Sequence, residues 1–215
     1  MNAPAATLLL GVVVLLLGVV AWERGPGGPR ELALVATLAA GAAAARVLFA
    51  IVPSASPVST ICTVTGIALG PRAGAAVGAT AALISNVFLG QGPWTPWQML
   101  AWGLVGASAG ALGRLLRARV ALLVFGAAWG FTFGAIMNLW QLLAFGPVVS
   151  WSAFLATEAR GLPFDATHAV TNVVLLGVAG PALIRLLDRY ARRLRVEIVP
   201  LGRPVPDPSL APEHP

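Results

Sequence analysis

The sequence predicts an all-α integral membrane protein, and three observations carry that reading. Hydrophobic residues make up 58% of the 215 positions and charged residues only 10%. A soluble domain carries about 25% charged residues, so this chain cannot cover a water-facing surface. The mean hydropathy is +0.84. The apolar residues come in runs of helical length, cut by Gly and Pro at 25–29, 53–57, 70–71, 90–93, 146–147 and 161–163.

A bilayer core of about 30 Å needs about 20 apolar residues per helix. Seven segments read as spans. Residues 5–22 are nearly all Leu, Val and Ala, and 31–52 are rich in Ala. Residues 58–69 are short; as a helix they rise about 18 Å, which suits a half-span or a tilted element. Residues 72–89, 97–116, 120–145 and 166–187 complete the set. The first segment lacks a basic leader and a small-residue cleavage site, so it reads as a retained anchor helix. The expected organisation is an N-terminal helix and cytoplasmic loop over 1–30, a membrane bundle over 31–195 and a disordered Pro-rich tail over 196–215.

Charge placement gives the topology. The formal net charge is +6, and all 14 basic residues are Arg. With the first loop in the cytoplasm, Arg24, Arg30, Arg72, Arg114, Arg117, Arg119, Arg185, Arg189, Arg192, Arg193 and Arg195 all lie inside. Outside, only Arg160 remains in the loops, beside Glu158. The positive-inside rule then puts the N-terminus outside and the C-terminus in the cytoplasm of a multi-pass cell-membrane protein. The Arg residues are a topology signal, not a nucleic-acid patch. The absence of Lys removes a P-loop lysine and Schiff-base chemistry. Cys62 is the single cysteine, so there is no internal disulfide and no multi-Cys metal site. It reads as a small buried residue or, less simply, as a soft ligand to a metal carried by a bound molecule. No metal site is expected in the protein itself.

Small residues recur every fourth position. Gly70, Gly74 and Gly78 continue into Ala82 and Asn86; Gly126, Gly130 and Gly134 continue into Asn138; Trp102, Gly106 and Gly110 make another stripe. Such stripes let helix backbones approach closely, and internal packing is the expected use. Ala36, Ala40 and Ala44 make a smoother face, open either to the bundle or to another membrane protein.

Polar side chains inside a membrane are costly and commonly functional. Arg46, Asn86, Gln98, Asn138, Gln141, His168 and Asn172 all fall in the outer half of their segments. A channel or proton relay needs polar groups through the full depth; a cavity open to the outside needs them only here. The loop around Gln91, Trp94, Trp97 and Gln98 holds two Trp between Pro residues. It reads as an interfacial aromatic belt or as a rigid wall for a planar ligand. The candidate ligand-binding set is therefore Arg46, Asn86, Gln91, Trp94, Trp97, Gln98, Asn138, Gln141, His168 and Asn172. Arg46 either snorkels to the interface, meets an anionic or carbonyl-rich ligand, or pairs with Glu158 or Asp165. Residues 106–110 match G-x-S-x-G, but Ser108 lies deep in a helix and far from His168, so no enzyme is expected.

The core from 31 to 195 resembles the substrate-binding S component of energy-coupling factor (ECF) vitamin transporters. The features that carry the resemblance are Ala36, Ala40 and Ala44 on the first core helix, the Gly70-Pro71-Arg72-Ala73-Gly74 turn, and Ser85-Asn86 leading to the loop from Gly90 to Met99. The Trp94-Thr95-Pro96-Trp97 stretch is similar to a cobalamin-type subgroup. The resemblance implies a six-helix bundle, here with an extra N-terminal transmembrane helix. It implies a vitamin, cobalamin first, bound on the outer side and delivered inward by toppling. It implies a membrane coupling protein docked on Ala36, Ala40 and Ala44, and two cytosolic ATPase subunits that alone use ATP. The competing expectation is a structural membrane scaffold with no small-molecule ligand. That reading accounts for the stripes and the Arg placement but not for the clustered polar residues.

Overall fold

The computed structural model describes residues 7, 9–13, 18, 20, 28–146 and 148–194. The tail over 196–215, Arg24 and Arg195 lie outside the described residues, as does most of the segment over 5–22. Among the described residues the chain is all helical: α1 Pro29–Phe49, α2 Val58–Leu69, α3 Pro71–Leu89, α4 Thr95–Ala111, a 3-10 turn Leu115–Arg117, α5 Arg119–Phe145, α6 Trp151–Val178 and α7 Gly180–Leu194.

The starts are chemically marked. Pro29 and Pro71 stand in the first turns of α1 and α3, where a missing N–H costs nothing. Gly70 links α2 to α3 at φ 96°, a conformation that disfavours any side chain. Ser150 caps α6 by accepting from the Ala153 N–H at 3.2 Å.

Among the described residues three helices are long and apolar enough to cross a membrane: α1, α3 and α5. The α6–α7 pair qualifies as a fourth, bent by 61°. The seven expected spans are thus not all reproduced as full-length helices. Helix α2 has 12 residues and α4 has 17. Helix α2 is a short central rod, buried along nearly all its length from Val58 to Ile67 and packed against every other helix.

Two expectations are corrected. The Gly161-Leu162-Pro163 stretch is not a turn: it lies inside α6, which begins fifteen residues before the expected start at 166. Gly161 serves close packing instead, since a Cβ there would strike the Asn138 side chain. Pro163 faces outward, and its carbonyl accepts from the Thr167 hydroxyl at 2.9 Å. Nor do residues 166–187 form one straight span. The helix breaks at Ala179-Gly180-Pro181, where Pro removes an N–H from the ladder. Beyond the break α7 is amphipathic: Ile184 and Leu187 are buried, while Arg185, Arg189 and Arg192 are exposed. This geometry suits an interfacial helix rather than the end of a span.

The packing is inside-out relative to a soluble protein. Large apolar side chains such as Leu48, Phe88, Val124, Val170 and Val178 cover the outside. The interior is largely Ala, Gly, Val, Ser and Thr. Two glycine seams hold it. A Cβ at Gly74 would meet the Gly106 carbonyl, one at Gly106 would meet Gly74, one at Gly78 would meet the Trp102 carbonyl, and one at Gly110 would meet Pro71. On the other side Gly130 abuts the Ala169 backbone, and Gly134 abuts the Asp165 carboxylate. The glycine stripes are packing faces. The alanine stripe is not: Ala36, Ala40 and Ala44 are exposed among the described residues, and the buried face of α1 is Val35, Ala39, Ala42 and Ala43.

The helices alternate in direction, which sorts the charges. Arg30, Arg72, Arg114, Arg117, Arg119, Arg185, Arg189 and Arg192 gather at one end. Two ion pairs tie that end together, Arg72 to Glu31 and Arg117 to Asp188 at 2.6 and 2.8 Å. Arg46 and Arg160 stand toward the other end.

Gly106→Ala is expected to destabilise the chain by about 1–3 kcal/mol, because the added methyl has only backbone to displace. Gly41→Ala, where a Cβ meets open space, should be neutral or stabilising by up to about 1 kcal/mol. Thermal unfolding in detergent compares the two.

Candidate ligand cavity

The end away from the Arg cluster holds a cavity of about 880 Å³, within the usual range for small-molecule sites. Its walls come from the C-terminal ends of α1, α3 and α5, the first turns of α4 and α6 as far as His168. The loop over 50–56 closes one side.

Arg46 anchors the first wall. Its Nη1 donates to Ser85 Oγ at 2.6 Å and to Asn86 Oδ1 at 2.7 Å, and its Nη2 donates to Gln98 Oε1 at 3.4 Å. Its guanidinium carbon lies 4.7 Å from the centre of the Trp102 ring. Arg46 therefore neither snorkels outward nor pairs with Glu158 or Asp165. An Arg in a bilayer costs about 2.5–3.5 kcal/mol on insertion scales. Three hydrogen bonds and a cation–π contact offset that cost here.

A second layer holds those acceptors. Asn86 Nδ2 donates to Thr95 Oγ1 at 2.9 Å and to Gln98 Oε1 at 2.8 Å. Thr95 donates to Gln91 Oε1 at 2.9 Å, and Gln91 Nε2 closes back on the Leu83 carbonyl at 2.9 Å. Asn86 and Gln91 thus brace the α3–α4 loop and do not line the cavity.

The floor is aromatic. Trp102 Nε1 donates to Ser59 Oγ at 3.0 Å, and Ser59 Oγ lies 2.8 Å from His168 Nε2. Ser59 Oγ thus bridges the indole N–H of Trp102 and the imidazole of His168. Phe133 sits between them, its ring centre 4.6 Å from that of Trp102 and 4.8 Å from that of His168. Ser59 is 2% exposed and is not part of the lining, so no substrate carbonyl reaches its oxygen.

The opposite wall is of mixed charge, with Asp165 buried in it and Arg160 exposed on it. Asn138 donates to Glu158 Oε1 at 3.0 Å and hydrogen-bonds Asp165 as well. Asp165 is buried and lines the cavity, in the space that Gly134 leaves free.

Of the sequence-derived candidates, the cavity brings together Arg46, Gln98, Asn138, Gln141 and His168. Gln141 is at the exposed rim. Trp94 packs edge-on against Trp140 at 5.9 Å, and Trp97 Nε1 donates to Thr7 Oγ1 at 3.4 Å; neither lines the cavity. Asn172 lies deeper between α5 and α6, donating to the Gly126 carbonyl at 3.0 Å. Sequence reasoning missed Phe133 and the cavity-lining role of Trp102 and Asp165. Asp165 carried a legible signal, a carboxylate one turn before His168; Phe133 carried none. Ser108 accepts from Trp129 Nε1 at 3.1 Å and donates to the Leu104 carbonyl, while His168 is engaged with Ser59. Among the described residues no group of three His, Cys, Asp or Glu side chains is placed to hold a metal ion.

No protein-family model, no curated protein and no solved structure matches this chain.

Asn86→Leu keeps the branched outline of the side chain but strips Arg46, Thr95 and Gln98 of a shared partner. It is expected to cost about 1–3 kcal/mol, read as a lower unfolding midpoint in detergent.

Proposed function

We propose that this chain is the solute-capturing subunit of a membrane importer of the S-component kind. It takes a vitamin-sized molecule at the cavity end, and separate ATPase partners supply the energy. One observation carries the reading: a cavity with charged and amide walls and an aromatic floor lies inside a bundle whose outer surface is apolar. Three more support it. The Arg-rich end is opposite the cavity, and by the positive-inside rule this aims the mouth outward. The charged and amide groups of the cavity stop at the level of His168; below it Thr63, Ser108 and Asn172 are spent on bonds to the Ser59, Leu104 and Gly126 carbonyls, which suits capture rather than a through-channel. The exposed Ala36, Ala40 and Ala44 offer a coupling protein a smooth helix face. A scaffold reading explains the glycine seams and the Arg-rich end but leaves the charged cavity without a role.

The first test is to purify the chain in detergent, weigh any co-purified small molecule and titrate cobalamin. The expected result is a bound solute, or saturable cobalamin binding, reduced about tenfold or more by His168→Leu at unchanged expression. A chain that carries no solute and binds none returns the scaffold reading. Orientation has its own readout. Cys62 is fully buried, so added cysteines report without background. Val149→Cys, in the loop at the cavity end, should react with a membrane-impermeant maleimide on whole cells, and Leu115→Cys, at the Arg-rich end, should react only after lysis.

A further inference from the structure

The two buried charges of the cavity are opposite and stand on different walls, Arg46 on α1 and Asp165 on α6; Arg160 also lines the space but is exposed, and it makes no ion pair with Asp165. Arg46 meets only neutral oxygens and a ring face. Asp165, 7% exposed, makes no ion pair among the described residues, whose ion pairs are Arg72–Glu31 and Arg117–Asp188. Glu158 stands behind Asn138 and adds to the acidic side. Between the walls lie the rings of Trp102, Phe133 and His168, with Phe133 inclined by 36° to Trp102 and by 70° to His168. Ser56 Oγ also lines this space, buried and without a hydrogen-bond partner. A buried charge without a partner is expensive in an apolar surrounding, and one ligand that bridges both walls relieves two such costs at once.

We infer that the cavity selects a zwitterionic solute with a flat body, its carboxylate or phosphate toward Arg46 and its protonated nitrogen toward Asp165. This inference rests on the solute-capture reading. The Arg46 guanidinium is held as a fork by Ser85, Asn86 and Gln98 and keeps N–H donors for an anion. Among the described residues Asn138 is the one side-chain donor to Asp165, so its remaining lone pairs are open to an ammonium or amidinium group. Phe133, the partly open ring of the floor, gives the flat middle an aromatic surface to pack on. A singly charged solute satisfies one wall and leaves the other unpaired, which gives specificity through the penalty as well as the contact.

The test uses the full chain in nanodiscs of neutral lipid and three probes of one shape: 4-(aminomethyl)benzoate, 4-methylbenzoate and 4-methylbenzylamine. Solutes this small bind in about the millimolar range, which saturation-transfer NMR detects. The zwitterion is expected to bind about tenfold more tightly than either singly charged probe. Arg46→Gln should lower its affinity to that of the amine, and Asp165→Asn should lower it to that of the acid. A merely structural role for either residue would weaken all three probes alike. Unfolding midpoints of the variants separate misfolding from lost recognition. Equal affinity for the three probes overturns the charge assignment and leaves solute capture standing. Absence of saturable binding by all three, together with an empty purified chain that ignores cobalamin, overturns both.

Discussion

Helices α3 and α4 touch at Gly74 and Gly106 with no side chain between them, and the rest of the structure follows from that contact. Lipid tails are as apolar as a Leu side chain, so burying Leu between helices gains little in a membrane. Association must come from close van der Waals contact and from hydrogen bonds. Glycine supplies the first. Once Gly74, Gly78, Gly106 and Gly110 fix how α4 lies on α3, the last turns of α3 and the first turns of α4 meet at one end. Ser85, Asn86, Thr95 and Gln98 then converge on Arg46 from α1. The second seam, Gly130 and Gly134 against α6, sets Asp165 beside Asn138 in the same way.

The hydrogen bonds are spent unevenly along the bundle. At the Arg-rich end the charges pair with carboxylates or lie exposed. At the other end they line a cavity and meet amides, hydroxyls and rings. A guanidinium held by neutral acceptors keeps its field, whereas one paired with a carboxylate is largely cancelled. The chain contains the carboxylate needed to cancel Arg46, since Asp165 lines the same space, yet the fold holds the two on different walls.

The short central helix α2 shows how far packing departs from the span count. Its twelve residues carry Ser59, Thr60, Thr63 and Thr65, hydroxyls that a lipid-facing helix would shed. Surrounded by the other helices, they stay inside. Thr63 returns its proton to the Ser59 carbonyl at 2.7 Å, and the Ser59 hydroxyl joins Trp102 to His168 under the cavity. The cavity floor thus rests on the shortest helix.

Composition, runs and small-residue spacing determined the all-helical class, the apolar exterior, the glycine stripes as contact faces and the gathering of Arg at one end. Each depends only on residues close in sequence, which share a helix face whatever the fold. The polar set was half legible for the same reason: depth along each segment placed Arg46, Gln98, Asn138, Gln141 and His168 at one level. Which way each side chain turned was decided by neighbours far away in the chain, such as Ser59 and His168, 109 residues apart. Asn86 and Gln91 turned to brace a loop, Trp94 and Trp97 to pack on Trp140 and Thr7, and Asn172 into the α5–α6 seam. Gly161 and Pro163 read as a turn because local chemistry makes them one in isolation. The helix persists because Asn138 needs the space that Gly161 leaves and Pro163 faces outward. The opposed charges of Arg46 and Asp165 belong to the tertiary structure alone, because only the two glycine seams set those walls face to face.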